Sequence, residues 1–371
     1  MWAQYMAYIE NFDGAQPRQI FVTKNDILRN EVEKSFRNMA LAWRKSVSNQ
    51  DIQMANRIDK PTETEQGIKP AANSKGNFPL FLTAAEWLDI LDNELPGDRF
   101  FSQQELDERI GKRKVDDTVQ RSMETFFADE TVTLKDEDNG VQRQEMTYDI
   151  FRKLWCKINS AVKTSHDPAL VWREIKSYIK GSVAALRIKD TDRSVQQNRF
   201  LSLPAYLSLP RKQSRLNETQ RRDVYRLYLC YEKLKKERFF FDESDLVYNL
   251  AGRVSQFACI GKSDGLKGNQ GLLPTDAVFV DEVQDFTQAE LYLLTKLNTD
   301  PNNIMLAGDT AQSIAVGVGF RFTDVRQIFY ESFGGIEPHL LQLTHNYRSH
   351  AGVLRLAACV VELLYFFSVI V

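Results

Sequence analysis

The late part of the chain contains the segment VFVDEVQDF at residues 278–286. The apolar run Ala277–Val280 has the length and composition of a buried strand, and acidic and amide side chains follow it directly. Residues 304–314, IMLAGDTAQSI, repeat this arrangement with a second apolar run, a glycine, an acid and a glutamine. Because parallel strands collect their ligands at their carboxyl ends, the two segments together predict one site.

The elements around these segments alternate between strand and helix. An amphipathic helix is predicted over residues 288–297, between the strand runs 277–280 and 304–307, which indicates a parallel sheet. Near the start of the chain, residues 19–23 form another β-branched run, followed by a cap at Asn25 or Asp26 and a helix. A third late apolar run, residues 340–344, precedes a final apolar helix.

The middle of the chain has a different composition. Residues 46–77 are rich in Asn, Gln, Lys, Glu, Thr and Pro with almost no large apolar residue, which predicts a flexible linker. A helical pattern follows, clearest in two apolar faces. These faces consist of Tyr148, Phe151, Trp155, Ile158 and Val162, and of Val224, Leu227, Tyr228, Tyr231 and Leu234.

Charge limits the function classes. The 371 residues carry 48 Lys and Arg against 50 Asp and Glu, a net charge of −2, so any contact with nucleic acid must be local. The charged stretches 112–114, 211–215 and 233–238 could meet phosphates, but such runs more often form solvated helix faces.

Cysteine usage and hydropathy indicate the compartment. Four cysteines without a close pair fit neither a disulfide framework nor a zinc site, and agree with a reducing compartment, as inside the cell. Residues 353–371 are strongly apolar, but Arg355 and Glu362 disfavour a membrane span. His339, His345 and His350 lie close together without the spacing or carboxylate of a metal set.

The residue types at the predicted edge suit phosphate chemistry. In nucleoside triphosphatases an aspartate at a strand tip holds Mg²⁺, and a neighbouring glutamate polarises the attacking water. Asp281 and Glu282 suit these roles, although a solvated acidic turn would show the same residues. Further on, Tyr347 and Arg348 offer a π face beside a guanidinium, able to stack on a base and to neutralise a phosphate.

Three segments in this order resemble motifs II, III and IV of the UvrD/Rep-like superfamily-one helicases: DEVQD at 281–285, GDTAQSI at 308–314 and NYRS at 346–349. The segment IFVTKN at 20–25 resembles motif Ia of this family, and FDESDL at 241–246 resembles the acidic segment before motif II. The branch that the chain resembles is that of the large eukaryotic UvrD-like proteins related to the TPR-and-ankyrin-repeat-containing protein.

The resemblance implies a role for each matching position. ATP and Mg²⁺ are the implied cofactors: Asp281 would bind Mg²⁺, and Glu282 would activate water. Asp309 would lie near the nucleotide. Gln312 would sense the γ phosphate, Arg348 would touch it, and Tyr347 would stack on adenine.

The implied partner is single-stranded nucleic acid, DNA rather than RNA. Thr23 and Asn25 lie in the motif that lines the single-strand channel, and Phe320 and Phe322 fall near the aromatic position that meets the bases. A core role for both phenylalanines is equally compatible with the sequence, because stacking and packing need the same side chain.

The implied fold is α/β: a RecA-like parallel sheet of the P-loop NTPase class without its P-loop segment, with a large helical insertion. The expected domain organisation is a first part of the RecA-like domain over 1–46, a linker over 47–78 and a helical insertion over 79–240. The second part of the RecA-like domain follows over 241–335. Residues 336–371 would begin a second RecA-like domain.

One required element is missing from the sequence. No window matches Gly-x-x-x-x-Gly-Lys-Thr/Ser, and the tripeptide Gly261-Lys262-Ser263 has Gln256 where the first glycine should stand. We therefore expect the chain to be a fragment of a longer helicase, completed by further parts of its own chain and inactive alone. Two alternatives remain: a non-hydrolysing regulatory module that binds nucleic acid or protein, and a scaffold whose helical block docks a partner not identifiable from the sequence.

Overall fold

The structure is a computed structural model, and it describes residues 1, 5, 17–46, 78–109, 143–186, 200–211, 213–260, 275–298, 300–309, 318–319 and 321–370. The strands are β1 (Gln19–Thr23), β2 (Leu80–Thr83), β3 (Gln144–Glu145), β4 (Phe240–Phe241), β5 (Ala277–Val280) and β6 (Ile304–Leu306). The helices before β5 are α1 (Asp26–Ser46), α2 (Ala84–Glu94), α3 (Tyr148–Asn159), α4 (Pro168–Arg173), α5 (Val183–Leu186), α6 (Leu203–Leu207), α7 (Glu218–Glu237) and α8 (Glu243–Ile260), with a π-helix at Glu174–Lys180. After β5 come α9 (Gln288–Lys296), α10 (Phe322–Ser332) and α11 (Ala351–Ile370), with 3₁₀ turns at Val283–Asp285 and Pro301–Asn303.

A parallel sheet with the order β2-β1-β5-β6 forms the centre of the α/β part. All five residues of β1 are buried, and Ile20 lies opposite Val278 of β5. The predicted strands 19–23 and 277–280 and the parallel pairing are confirmed. The second late strand ends at Leu306, one residue earlier than predicted.

Strand β2 differs from the sequence analysis, which assigned residues 79–240 to a helical insertion. The structure places Leu80–Thr83 in the sheet beside β1, and α2 packs its Trp87 and Leu88 into the same core. The run LFLT is only four residues long and leads directly into a helix through the capping box of Thr83 and Glu86. The helical spacing of the apolar residues in α2 therefore dominates the sequence pattern, and the four-residue strand β2 is not recognised.

The helical region has its own core, built largely from aromatic residues. Helix α3 contributes Phe151, whose ring centroid lies 5.0 Å from that of Trp172 and 5.7 Å from that of Tyr231 on α7. Both predicted apolar faces pack into this core, which confirms the helices predicted there. Strands β3 and β4 form a short parallel pair of their own, with Gln144 opposite Phe240 and Glu145 opposite Phe241.

Part of the charged stretch 233–238 is buried rather than solvated. Lys235 is 3% exposed, and its ammonium nitrogen lies 2.7 Å from Asp245 and 3.0 Å from Asp242. Lys180 of the π-helix bonds to the same two aspartates. Lys233 is 79% exposed, as the sequence analysis expected for the whole stretch. These ion pairs fasten the π-helix and α7 to the start of α8.

The last described region is extended and then helical. Residues 340–344 are exposed and make no strand pairing, so this apolar run is not a third late strand in the structure. The predicted final helix is confirmed as α11. Among the residues that the structure describes, no helix combines the length and apolar character needed to cross a membrane. The predicted linker, residues 47–78, lies outside the described ranges except for its last residue.

Candidate functional site

Backbone hydrogen bonds to both neighbouring strands hold the carboxyl end of β5. The Asp281 N–H donates to the Val22 carbonyl of β1 at 3.1 Å, and the Ala307 N–H donates to the Val280 carbonyl at 2.8 Å. Beyond the sheet, the Val283 N–H donates to the Ala307 carbonyl at 2.9 Å. The acidic residues that follow β5 therefore leave the sheet at an edge shared by three strands.

Glu282 turns the chain sharply at this edge. Its φ of 54° and ψ of 45° place it in the left-handed region, which costs a non-glycine residue about 1–2 kcal/mol. Its N–H donates to Asp281 Oδ1 at 2.9 Å, and the 3₁₀ turn Val283–Asp285 begins immediately after it. Backbone strain of this kind persists only where the surrounding structure enforces it, and it concentrates at functional sites.

Gln284 fastens the two strand tips together. This side chain is 1% exposed, and its Nε2 donates to Glu282 Oε2. Its Oε1 accepts a hydrogen bond from the Asp309 backbone N–H at 3.0 Å. One buried amide therefore fixes the Glu282 carboxylate and ties it to the residue that follows β6.

The glycine after β6 is required by this amide. A Cβ atom at Gly308 would lie 2.5 Å from Gln284 Oε1 and 2.6 Å from Val283 Cγ1, which is closer than any side chain allows. The backbone of β6 can therefore approach the turn after β5 only where residue 308 has no side chain.

The electrostatics of the edge favour a cation. Burial raises the pKa of Asp281, the Glu282 N–H opposes this shift, and the neighbouring Glu282 charge raises the pKa further. Both carboxylates are half-buried, so they retain access to solvent. Mg²⁺ binds through one or two carboxylates and keeps several waters and phosphate oxygens, so these oxygens at the edge fit it. Asp281 is the residue placed to hold such an ion.

Lys24, next to the end of β1, is bound by two carboxylates. Its Nζ lies 2.8 Å from Glu243 Oε1 of α8 and contacts the Glu290 carboxylate of α9, and it lies 5.2 Å from the Phe286 ring centroid. Burial alone would lower the pKa of Lys24, but the charges of Glu243 and Glu290 outweigh it and raise that pKa above its ordinary value. Burial likewise would raise the pKa of Glu243, and Lys24 and Lys176 hold it far below its usual range.

The predicted nucleic-acid residues of β1 have different environments. The Thr23 side chain is fully buried, and its Oγ1 accepts a hydrogen bond from the Asn25 N–H at 3.3 Å. Asn25 is exposed, and its Oδ1 accepts the Leu28 N–H at 3.1 Å, which caps α1. Of the two, only Asn25 therefore presents its side chain to solvent.

The other predicted site residues lie in separate places. Phe322 is partly buried and packs against the core of the sheet. Gln312 and Phe320 lie outside the residues that the structure describes. Tyr347 is 95% exposed and stacks on His345 at a centroid distance of 6.3 Å, and Arg348 is exposed, its N–H donating to Asn346 Oδ1 at 2.8 Å. The structure therefore brings Asp281, Glu282 and Asp309 together, while Tyr347 and Arg348 lie in an exposed segment.

Two important residues were missed by the sequence analysis. Gln284 lies within the quoted motif, and its position as a lone amide between Glu282 and Asp285 is the signal that could have identified it. Lys24 lies within the quoted strand segment. No local signal identifies its partners, because Glu243 and Glu290 are more than 200 positions away in the chain.

The chain is similar to one protein-family model and to two known proteins. Residues 102–331 match the model of the UvrD/REP helicase N-terminal domain family. The chain is 33% identical over 383 residues to the human TPR and ankyrin repeat-containing protein 1, a match that covers 94% of this chain and 12% of that protein. It is 27% identical over 225 residues to the Bacillus subtilis protein named "Putative ATP-dependent DNA helicase YjcD", covering 58% of this chain and 27% of the relative. The chain therefore spans only a small part of each relative.

Proposed function

Because this chain belongs to the UvrD/REP helicase family, we propose that it is part of an ATP-dependent helicase or translocase that moves on single-stranded DNA. The observation that carries the proposal is the Gln284 bridge, which gathers Glu282 and Asp309 at one sheet edge beside Asp281. Carboxylates at that edge of a parallel sheet are where a nucleoside triphosphate with its metal ion would bind. We place the protein inside the cell, in the nucleus or the cytoplasm.

The residues at the edge divide the chemistry between them. Asp281 would hold Mg²⁺, which supplies charge neutralisation for the β and γ phosphates when bound. Glu282, its carboxylate fixed by Gln284, would accept the proton of the attacking water. Asp309, whose backbone is held by the same amide, would lie beside the phosphates.

The remaining roles come from family membership. Gln312 would contact the γ phosphate from the segment that follows Asp309. Tyr347 would stack on adenine, and Arg348 would bind the γ phosphate, after the exposed segment that carries them has closed on the edge. An arginine at the γ phosphate contributes about 10³ to 10⁵ in rate in related enzymes.

Single-stranded DNA would run past the end of β1 and the start of α10. Asn25 offers an exposed amide there, and Thr23 acts by holding the Asn25 backbone. One of Phe320 and Phe322 would supply the aromatic contact to the bases, Phe322 from a partly buried position against the core.

We also propose that the 371-residue chain alone does not hydrolyse ATP, since no part of its sequence matches the phosphate-binding loop. The same observation favours a second candidate function, a regulatory module that binds nucleic acid or protein without hydrolysis. The domain organisation given above remains part of the proposal, except that β2 and α2 (residues 80–94) join the RecA-like part, because they pair with β1 and pack into the core of the sheet.

Binding of a fluorescent ATP analogue in the presence of Mg²⁺ tests the acidic edge. Asp281→Asn should weaken Mg²⁺-dependent binding at least about tenfold, through the loss of a charged ligand. Asp276→Asn is the matched control, because Asp276 lies at the opposite end of β5, where its Oδ2 accepts the Arg18 N–H at 2.8 Å. Equal effects of the two substitutions would refute the site.

Steady-state ATP hydrolysis tests the inactivity of the chain. We expect turnover near background with and without single-stranded DNA. A DNA-stimulated turnover that Glu282→Gln abolishes would overturn the inactivity and support the catalytic role of Glu282.

A further inference from the structure

The exposed face of α10 lines a shallow hollow of about 330 Å³. The hollow is lined by Thr323, Arg326, Gln327, Tyr330 and Glu337. The four helical residues recur at spacings of three, four and seven, so they share one face of the helix. The opposite face, which includes Val325, Ile328 and Phe329, is buried in the core. Packing of this buried face holds the helix in place, and the polar face remains accessible to a ligand.

Tyr330 provides an accessible aromatic surface in this hollow. The residue is 53% exposed. The Gly335 N–H donates to the Tyr330 carbonyl at 2.8 Å, and a Cβ at Gly335 would lie 3.7 Å from the ring. The backbone at Gly335 has a φ of +97°, which a side chain would disfavour. The chain thus turns back beside the ring and brings Glu337 to the far side of the hollow.

Arg326 lies one helical turn from Tyr330 and has a replaceable partner. Its Nη2 lies 2.6 Å from Glu337 Oε2, and the two side chains are 50% and 62% exposed. Exposed ion pairs contribute little stability, so a stronger anion can take the place of the carboxylate. A phosphate group binds guanidinium through two parallel hydrogen bonds and is such an anion.

We propose that this hollow is a subsite for one nucleotide of a single-stranded nucleic acid. The base stacks on Tyr330, and Arg326 binds the phosphate in place of Glu337. The Thr323 hydroxyl and the Gln327 amide oxygen offer hydrogen bonds to the base, while Gln327 Nε2 donates to Glu331 Oε1 at 2.8 Å. Base stacking combined with a backbone cation is the usual chemistry of single-strand recognition. The inference rests on the proposed function, and it extends the path of the strand from Phe322 to Tyr330, about 12 Å along the helix.

Anisotropy of a labelled oligothymidine with the full chain tests the subsite. Tyr330→Leu should weaken binding about tenfold, because the stacking surface is lost. Arg326→Gln should reduce the slope of log affinity against log salt by about 0.7, the value for one phosphate of a single strand. Glu337→Gln should tighten binding about threefold, because it frees Arg326.

Helix α7 offers a matched pair of controls. Arg222 and Glu218 also lie 2.6 Å apart and are 49% and 69% exposed, so their ion pair closely resembles that of Arg326 and Glu337. Arg222→Gln and Glu218→Gln should leave affinity and salt slope unchanged. Thermal unfolding of each variant separates lost folding from lost binding, and the two surface charge variants remain informative if Tyr330→Leu is unstable.

The outcomes distinguish this inference from the proposed function. If the parent chain binds oligothymidine and the hollow variants bind like the controls, the subsite is wrong and the proposed function stands. If no variant and no parent chain binds a single strand, both are wrong. If free thymidine monophosphate displaced the oligonucleotide at an equal concentration, the hollow would bind a mononucleotide rather than one nucleotide of a strand.

Discussion

Gln284 and Asp309 lie on adjacent strand tips, joined by a 3.0 Å hydrogen bond from the Asp309 backbone N–H to the Gln284 side-chain oxygen. The other end of the same amide binds the Glu282 carboxylate. Glu282, the residue proposed to activate water, is therefore connected through Gln284 to the backbone of Asp309, three residues before Gln312. If the end of β5 or of β6 moves, the other end must move with it, or the hydrogen bonds of Gln284 must break.

Gln284→Met should destabilise the chain by about 1–3 kcal/mol, because a buried side chain loses hydrogen bonds on both sides. Urea unfolding measures the change. Gln103→Met is the control, since Gln103 is exposed and its side chain bonds to Asp107 and Arg99, four residues away on either side. The control should stay within about 0.5 kcal/mol of the parent chain. Equal costs would mean that the Gln284 amide does not hold the two tips together.

Gly308→Ala should also destabilise the chain, by about 1–3 kcal/mol, because the added methyl group overlaps Gln284 and Val283. Gly252→Ala provides a contrasting control in α8, where a Cβ meets no atom within 4 Å. Alanine replaces glycine inside a helix there, so we expect a gain of about 0.5–1 kcal/mol. Thermal and urea unfolding should therefore give opposite signs for the two substitutions. The same sign for both would contradict the close approach at Gly308.

The sequence analysis succeeded where a local pattern determines the structure. Strands β1 and β5 are short β-branched runs bounded by polar residues, and their boundaries were predicted correctly. Helix α9 was predicted because Leu291, Leu294 and Leu297 recur at helical spacing, and the structure adds a capping box at Thr287. The rule that parallel strands end at one edge also placed the segments after β5 and β6 side by side, where the Asp309 N–H bonds to the Gln284 side chain.

The remainder depends on contacts that the sequence does not show. Strand β2 is stabilised by pairing with β1, more than 50 residues earlier in the chain. Lys235 is buried because Asp242 and Asp245 fold over it, although its charged stretch alone indicates a solvated face. The roles of Gln284 and Lys24 likewise depend on distant partners.

Glu105 should make stability depend on pH in acid. Burial would raise its pKa, but hydrogen bonds from Arg143 and from the Ser102 backbone lower the pKa from 4.5 to about 2. A lowered pKa contributes stability that is complete above about pH 4.5 and is lost as the pH falls towards 2. The side chain is partly solvated, so the contribution should be about 1 kcal/mol.

Urea unfolding between pH 5 and pH 2.5 measures the contribution of Glu105. Glu105→Gln should unfold with a shallower loss of stability in this range than the parent chain. Glu108→Gln is a nearby control, because Glu108 lies three residues further along the chain and accepts a hydrogen bond from the exposed Gln104 side chain instead. Parallel pH profiles for Glu105→Gln and the parent chain would contradict the prediction.

Lys24→Met should be the most damaging of these substitutions, because it leaves Glu290 buried at 1% exposure without its cation. Removing one partner of a buried ion pair costs about 3–5 kcal/mol. The double substitution Lys24→Met with Glu290→Gln should recover part of the loss, since glutamine is neutral and its oxygen can still accept the Thr287 N–H. Lys233→Met, at a residue 79% exposed, should change stability by less than about 0.5 kcal/mol. Urea unfolding of Lys24→Met, Glu290→Gln and the double variant measures this coupling. If the double variant lost as much stability as the two single variants added together, Lys24 and Glu290 would not be energetically coupled, and the ion pair would not connect β1 to α9.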